Sequence, residues 1–189
     1  DLIIYFHGNY LDIGYLDDFA EKFNSFGYSV LAMDYRGYGL SQGIATEKSS
    51  YHDSQLLYDS ALNMGYSDNN IIIVGRSIGT GVATELALNN NSKALILISP
   101  FVSAYRIMTK IPLLLFDKFD NLDKISQVSE PLFIIHGSND QIIKPWHSEM
   151  LFQNHKGQKT SYFVEGAGHN DIFEYNFDEV IKQFELFMK

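Results

Sequence analysis

Cysteine is missing from this sequence altogether. Its absence excludes disulfides, thiolate-bound metal and a cysteine nucleophile together, and is compatible with a reducing cytosol. Positive charge is scarce: 14 Lys and Arg against 23 Asp and Glu leave a net charge of −9. No basic stripe occurs, which argues against nucleic acid as a partner, because neutralising phosphates takes clustered Lys and Arg. No window approaches the ~20 consecutive apolar residues that a membrane span needs, and none reads as a signal peptide. Internal repeats and low-complexity tracts are also lacking.

What is present is ordinary for a folded protein. The chain of 189 residues, 46% hydrophobic and 20% charged, fits one soluble globular domain covering 1–189. Twelve Tyr and fourteen Phe suit either a large aromatic core or an apolar pocket, and composition does not separate the two. The chain opens directly in a buried-strand pattern, Asp1-Leu-Ile-Ile-Tyr-Phe6, so the expectation is a piece of a longer protein.

Six apolar runs read as strands: Leu2–Phe6, Ser29–Asp34, Ile71–Val74, Ala94–Ile98, Leu132–His136 and Ser161–Val164. Most are continuously apolar, the pattern of strands covered on both faces. Amphipathic stretches at Leu16–Phe26, Asp53–Met64, Gly79–Leu88, Pro145–Gln153 and Phe173–Met188 predict helices between them. Pro145 fits a first helical turn, and Asn89–Asn91 a helix C-cap and turn. Alternating strand and helix implies an α/β class with a parallel sheet and helices on both faces. The connection 101–131 has no clear strand and reads as a short lid-like segment, with extra helices as the alternative for a loop of this length.

Gly75-Arg76-Ser77-Ile78-Gly79 follows one predicted strand and precedes a helix, the required context of a G-x-S-x-G nucleophile elbow. The glycines leave room for a sharp turn that lifts the Ser77 hydroxyl above the sheet. The helix N-terminus favours the negative charge that develops there. A nucleophilic serine needs a base, and the base an orienting acid. His169 in Glu165-Gly-Ala-Gly-His169 follows the last strand, and Asp140 follows the strand before it, in the order Ser…Asp…His. Asp171 and Asp117 are the fallback carboxylates. His136 reads as buried and hydrogen-bonded, whereas His52, His147 and His155 read as surface residues.

Oxyanion donors are expected at the backbone N–H of Ile78, directly after the nucleophile, and at Asn9 in His7-Gly8-Asn9. Tyr10 is the alternative donor and a candidate substrate contact; a plain tight turn at His7-Gly8 is the competing reading. Asp34-Tyr-Arg-Gly-Tyr-Gly-Leu-Ser41 is expected to be structural, with Arg36 in an ion pair and a lesser part in shaping the site. Phe101, Tyr105 and Leu114, the last within Ile111–Phe116, are candidates for an apolar substrate wall; core packing is the alternative for that segment.

Taken in order, HGN, DYRGYGxSxG, GRSIGTG, SPF, NxDKI, HGxxDxxI and EGAGHND resemble the α/β-hydrolase-domain protein depalmitoylases and the wider serine-aminopeptidase and monoglyceride-lipase-like group. The likeness runs from about Leu2 to the C-terminus. It implies an α/β-hydrolase fold with a mostly parallel sheet, strand order 2-1-3-4-5-6, and N-terminal strands missing, which would leave Ser29–Asp34 as an exposed edge. It also places the triad on Ser77, Asp140 and His169 and the oxyanion loop on His7-Gly8-Asn9.

The expected activity is hydrolysis of an acyl ester or thioester through an acyl-enzyme, with no cofactor and no metal. The expected partner is an acylated small molecule or a lipidated protein, with thioesterase action on the latter implied by the resemblance alone. Monoacylglycerol or small-ester hydrolysis is the alternative; a peptidase acting on a free N-terminus is less favoured, since no carboxylate cluster for an ammonium group is evident. A catalytically silent hydrolase-fold binding protein is the alternative of another class. The expected location is cytoplasmic, with membrane contact only through segments absent from this chain.

Overall fold

The computed structural model describes residues 1–9, 11–107 and 118–189. Its six strands are β1 (Leu2–Phe6), β2 (Ser29–Ala32), β3 (Ile71–Arg76), β4 (Ala94–Ile98), β5 (Leu132–Gly137) and β6 (Lys159–Val164). They pair in parallel, in the order β2-β1-β3-β4-β5-β6. β1, β4 and β5 are buried along their whole length, as continuous apolar runs require when both faces are covered.

The two-residue period of the strands divides the core. Leu2, Ile4 and Phe6 of β1 face one cluster, with Ile71 and Ile73 of β3. That cluster is closed by α2 (Glu47–Asn63), α3 (Gly79–Asn89), α4 (Asn121–Ile125) and α5 (Trp146–Asn154), through residues such as Tyr58, Leu86, Ile125 and Leu151. Ile3, Tyr5, Ile72 and Val74 face the other, covered by α1 (Asp17–Ser25) and α6 (Ile172–Phe187) through Phe23, Val180 and Phe184. Aromatic rings lock α1 to α6: Phe23 meets Phe184 edge-on at 5.3 Å.

After β1 the chain winds outward to β2, then returns across β1 to β3 and winds the other way. Between β1 and β3 the connections leave on opposite sides, opening a crevice at the carboxyl ends of those strands. His7-Gly8-Asn9 and Ser77 both sit at that edge.

Several boundaries differ from the sequence reading. Helix α2 begins at Glu47, six residues before the expected start, because Thr46 and Ser49 cap it reciprocally. Strand β2 stops at Ala32, and its residues are half-buried or exposed at the sheet edge. Helix α4 lies inside the 101–131 connection, one of the extra helices that a connection of this length can hold; Asp120 caps it by accepting from the Asp123 N–H. Among the described residues, no helix is long and apolar enough to cross a membrane.

Candidate active site

Strand β3 ends at Arg76 and α3 begins at Gly79, so the turn between them falls on Ser77 and Ile78. Ser77 has φ of 52°, a left-handed conformation that costs a non-glycine residue about 1–3 kcal/mol and is held only where the surroundings dictate it. Here its N–H donates to the Ile98 carbonyl at 2.9 Å. A Cβ on Gly79 would lie 2.2 Å from the Phe6 carbonyl oxygen, so only glycine lets α3 start against the end of β1. That approach brings the His7-Gly8-Asn9 loop against Ser77.

His169 lies past β6 on a loop fastened to the one after β5. The Asn139 N–H donates to the Ala167 carbonyl at 2.9 Å and the Gly166 N–H to Ser138 Oγ at 2.8 Å. At Gly137 an added Cβ would come within 2.4 Å of the Ala167 and Gly168 carbonyls, so the two loops touch through backbone. Arg76 completes the clasp from β3: its Nη2 donates to the Asn170 carbonyl at 3.1 Å and reaches that of His169 at 3.5 Å.

These supports bring three side chains into line. His169 Nδ1 lies 2.7 Å from Asp140 Oδ2 and its Nε2 lies 2.9 Å from Ser77 Oγ. A carboxylate only accepts, so Nδ1 carries the proton and Nε2 accepts from the serine hydroxyl. Asp140 is buried. Its Oδ1 accepts from the Ile142 and Ile143 N–H groups, each at 2.8 Å. Its Oδ2 is also 3.2 Å from His136 Nε2. Burial by itself would raise its pKa, but the bonds from His136 and His169 prevail and hold it well below the usual carboxylate range.

His136 is fully buried, as expected, with Nε2 at 2.8 Å from the Ile143 carbonyl and Nδ1 at 2.6 Å from Ser148 Oγ. His147 and His155, in contrast, are buried rather than at the surface. Helix α5 turns His147 inward, where its Nδ1 accepts from the Val102 N–H at 3.2 Å, and the His155 Nδ1 lies 3.4 Å from the Ile125 carbonyl. Of the fallback carboxylates, Asp171 accepts from the Gly168 N–H at 2.6 Å and so braces the His169 loop. Asp117 lies outside the described residues.

A cavity of about 690 Å³ opens over Ser77 and is also bordered by Asn9, Ile78 and His169. Its walls are Leu11, Phe101, Ile107, Ile142 and Ile143; Arg76, Asn170 and Glu174 add polar groups. Phe101 is therefore at the cavity, whereas Tyr105 is 43% exposed and outside its lining. Tyr10 and Leu114 lie outside the described residues. Leu11, Ile107 and Ile142 were not singled out from sequence, and Ile143 stood only as the last position of HGxxDxxI, not as part of a wall. The hydrophobic pair Ile142-Ile143, two residues past Asp140, was the visible cue. Among the described residues, no three His, Asp or Glu gather as a metal site.

The family model for serine aminopeptidase, S33, matches residues 1–122, a stretch that contains the whole elbow. The chain belongs to that family. Among curated relatives of this S33 member, the human α/β hydrolase domain-containing protein 17B is 38% identical over 188 residues, covering 96% of this chain and 65% of the relative. The chain thus spans just under two thirds of that relative's length. Among solved structures, the Paleococcus ferrophilus monoacylglycerol lipase superposes with a TM-score of 0.77 at 17% identity, covering 100% of this chain and 95% of the lipase. The α/β hydrolase GrgF from Penicillium sp. gives 0.82 at 16% identity, covering 100% and 89%. Those likenesses establish the fold of this S33-family chain as that of the α/β-hydrolases.

Proposed function

We propose that this chain is a serine hydrolase that cleaves an acyl ester or thioester by way of an acyl-enzyme on Ser77. The observation that carries the reading is the continuous line Ser77 Oγ, His169 Nε2, His169 Nδ1, Asp140 Oδ2, with spacings of 2.9 and 2.7 Å. Such a line lets His169 take the serine proton as Oγ attacks the carbonyl carbon, while Asp140 stabilises the imidazolium without being protonated. Backbone N–H groups of Ile78 and Asn9 receive the oxyanion. The imidazolium then protonates the leaving thiol or alcohol. Water, deprotonated by His169, hydrolyses the acyl-enzyme and releases the acid.

The apolar walls of the cavity favour an acyl chain as the group held there. The resemblance to protein depalmitoylases favours a thioester on a lipidated protein, with monoacylglycerols or small esters as the alternative substrates. A free-amine peptidase has less support, since Glu174 is the one carboxylate among the described residues lining the cavity. A fluorophosphonate probe tests the chemistry. It is expected to attach covalently to Ser77 and to give no adduct with Ser77→Ala. A folded protein that never reacts would favour the silent binding role instead. Turnover of an acyl thioester, a short p-nitrophenyl ester and a monoacylglycerol, side by side, then ranks the substrates.

A further inference from the structure

The loop after β2, expected from sequence to be structural, reaches directly into the oxyanion loop. Tyr38 Oη donates to Asn9 Oδ1 at 2.5 Å, and Tyr35 Oη donates to the His7 carbonyl at 3.1 Å. The buried His7 ring lies against both tyrosines, with centroids 4.4 Å from Tyr35 and 5.7 Å from Tyr38. Asp34 Oδ1, from the same loop, accepts from the Ile13 N–H at 2.8 Å, beyond the oxyanion loop. His7-Gly8-Asn9 is thus held at its start, its end and just after it by one neighbouring segment. Tyr38 and Ile78 also border a further cavity of about 200 Å³; the Tyr38 ring packs against the core beside Tyr35 and His7, and its hydroxyl bonds to Asn9.

We infer that Tyr38 is a positioning residue for the oxyanion hole, acting by anchoring the Asn9 side chain so that the Asn9 N–H is aimed at the developing oxyanion. This rests on the proposal that Ser77 is a nucleophile and Asn9 an oxyanion donor. A preorganised donor acts because it needs no rearrangement when charge develops. Releasing one end of the loop leaves ground-state binding in place and weakens the transition state. Deleting a donor outright typically costs about 100-fold or more, so loosening one is expected to cost about tenfold.

The test measures the rate at which a fluorophosphonate labels Ser77, in the parent, Tyr38→Phe, Asn9→Ala and the double variant. In that reaction the Oγ–P bond forms, the P–F bond breaks, fluoride leaves, and the serine proton passes to His169. The phosphoryl oxygen occupies the oxyanion site. Tyr38→Phe keeps the ring and its contacts; Asn9→Ala keeps the backbone N–H and removes the side-chain amide, with it the oxygen that accepts from Tyr38. Each single variant is expected to label about tenfold more slowly, and the double variant no more slowly than the slower single, because both remove the same bond. With an ester substrate, kcat per labelled active site should fall by the same factor while KM stays within about twofold; counting sites by the end-point of labelling keeps a loss of folded enzyme from passing as a fall in kcat. A parent that does not label sinks the nucleophile proposal and this inference with it. A parent that labels alongside a Tyr38→Phe that labels equally fast sinks this inference alone, as do losses that multiply in the double variant. Should Tyr38→Phe unfold, the exposed Asn9→Ala decides by itself: parent-like labelling overturns the role.

Discussion

Asp140 is the side chain through which most of the site's geometry passes. Both of its oxygens are occupied: two backbone N–H groups on Oδ1, and His169 with His136 on Oδ2. Every one of these partners is a donor, and each stabilises the ionised form. Asp140→Asn would keep an acceptor for the Ile142 and Ile143 N–H groups, yet would turn an NH₂ toward two ring N–H donors. The way out of that clash is for His169 to carry its proton on Nε2, where it can no longer accept from Ser77. The expected outcome is a loss of about 10³–10⁴ in kcat with the fold retained, by the tautomer argument. Steady-state kinetics with circular dichroism on the same sample checks it. A folded Asn variant keeping more than a tenth of parental activity would mean that another group orients His169. Ser77, Asp140 and His169 could be named from sequence because each follows a strand in a fixed order and a glycine-bearing loop. Arg76 and Tyr38 could not: their partners are 93 or more and 29 residues away, and nothing local in the sequence announces such contacts.

At the level of elements, the strands were legible because β-branched and leucine-rich runs four to six residues long have few other uses. Helix α2 was read six residues short, since its first turn, Glu47-Lys-Ser-Ser50, has no apolar periodicity and its cap uses serine where the common signature has Glu or Gln. Helix α5 was found, but its inward face was not, because a histidine reads as polar whichever way it points. That face has a measurable consequence. Burial, aided by the charges of His136 and Arg106, lowers the His147 pKa from 6.5 to about 4. Its Nδ1 must stay unprotonated to accept from Val102. An unfolded chain binds a proton at this residue below about pH 6.5, while the folded one resists until about pH 4. The stabilisation is therefore complete above pH 6.5 and declines as pH falls toward 4. His155, lowered by burial as well, acts in the same direction; Asp140, held low, acts only at more acidic pH. Allowing for partial solvation, the loss from His147 should be about 1–2 kcal/mol, or a fall in Tm of roughly 4 °C. His147→Gln offers Val102 an oxygen that does not titrate, so its Tm should vary less across this window in scanning calorimetry. Parallel curves for parent and variant would remove His147 from the account.

Seen as a whole, the molecule gathers its chemistry at one edge because the sheet is parallel: every strand delivers its carboxyl end to the same side. Leu11 follows β1, Ser77 follows β3, Phe101 and Ile107 follow β4, Ile142 and Ile143 follow β5, and His169 with Glu174 follows β6. The apolar wall is thus assembled from three separate connections, which is why the sequence disclosed only Phe101 of it in advance. Selectivity for the acyl group should then reside in the rim residues rather than in the triad. Ile142 gives the cleanest test. It is 55% exposed, so replacing it costs little stability, and its backbone N–H, which supports Asp140, is untouched by a side-chain change. Ile142→Gln removes apolar surface without adding charge beside His169. If a long acyl chain lies along this wall, losing contact with one or two methylene equivalents at about 0.8 kcal/mol each should lower kcat/KM for a long-chain thioester about tenfold. An acetyl thioester, too short to reach the rim, should lose less than about twofold by the same reckoning. Equal losses on both substrates would place Ile142 in support of Asp140 instead of the acyl chain, and no loss on either would move the chain to another wall of the cavity.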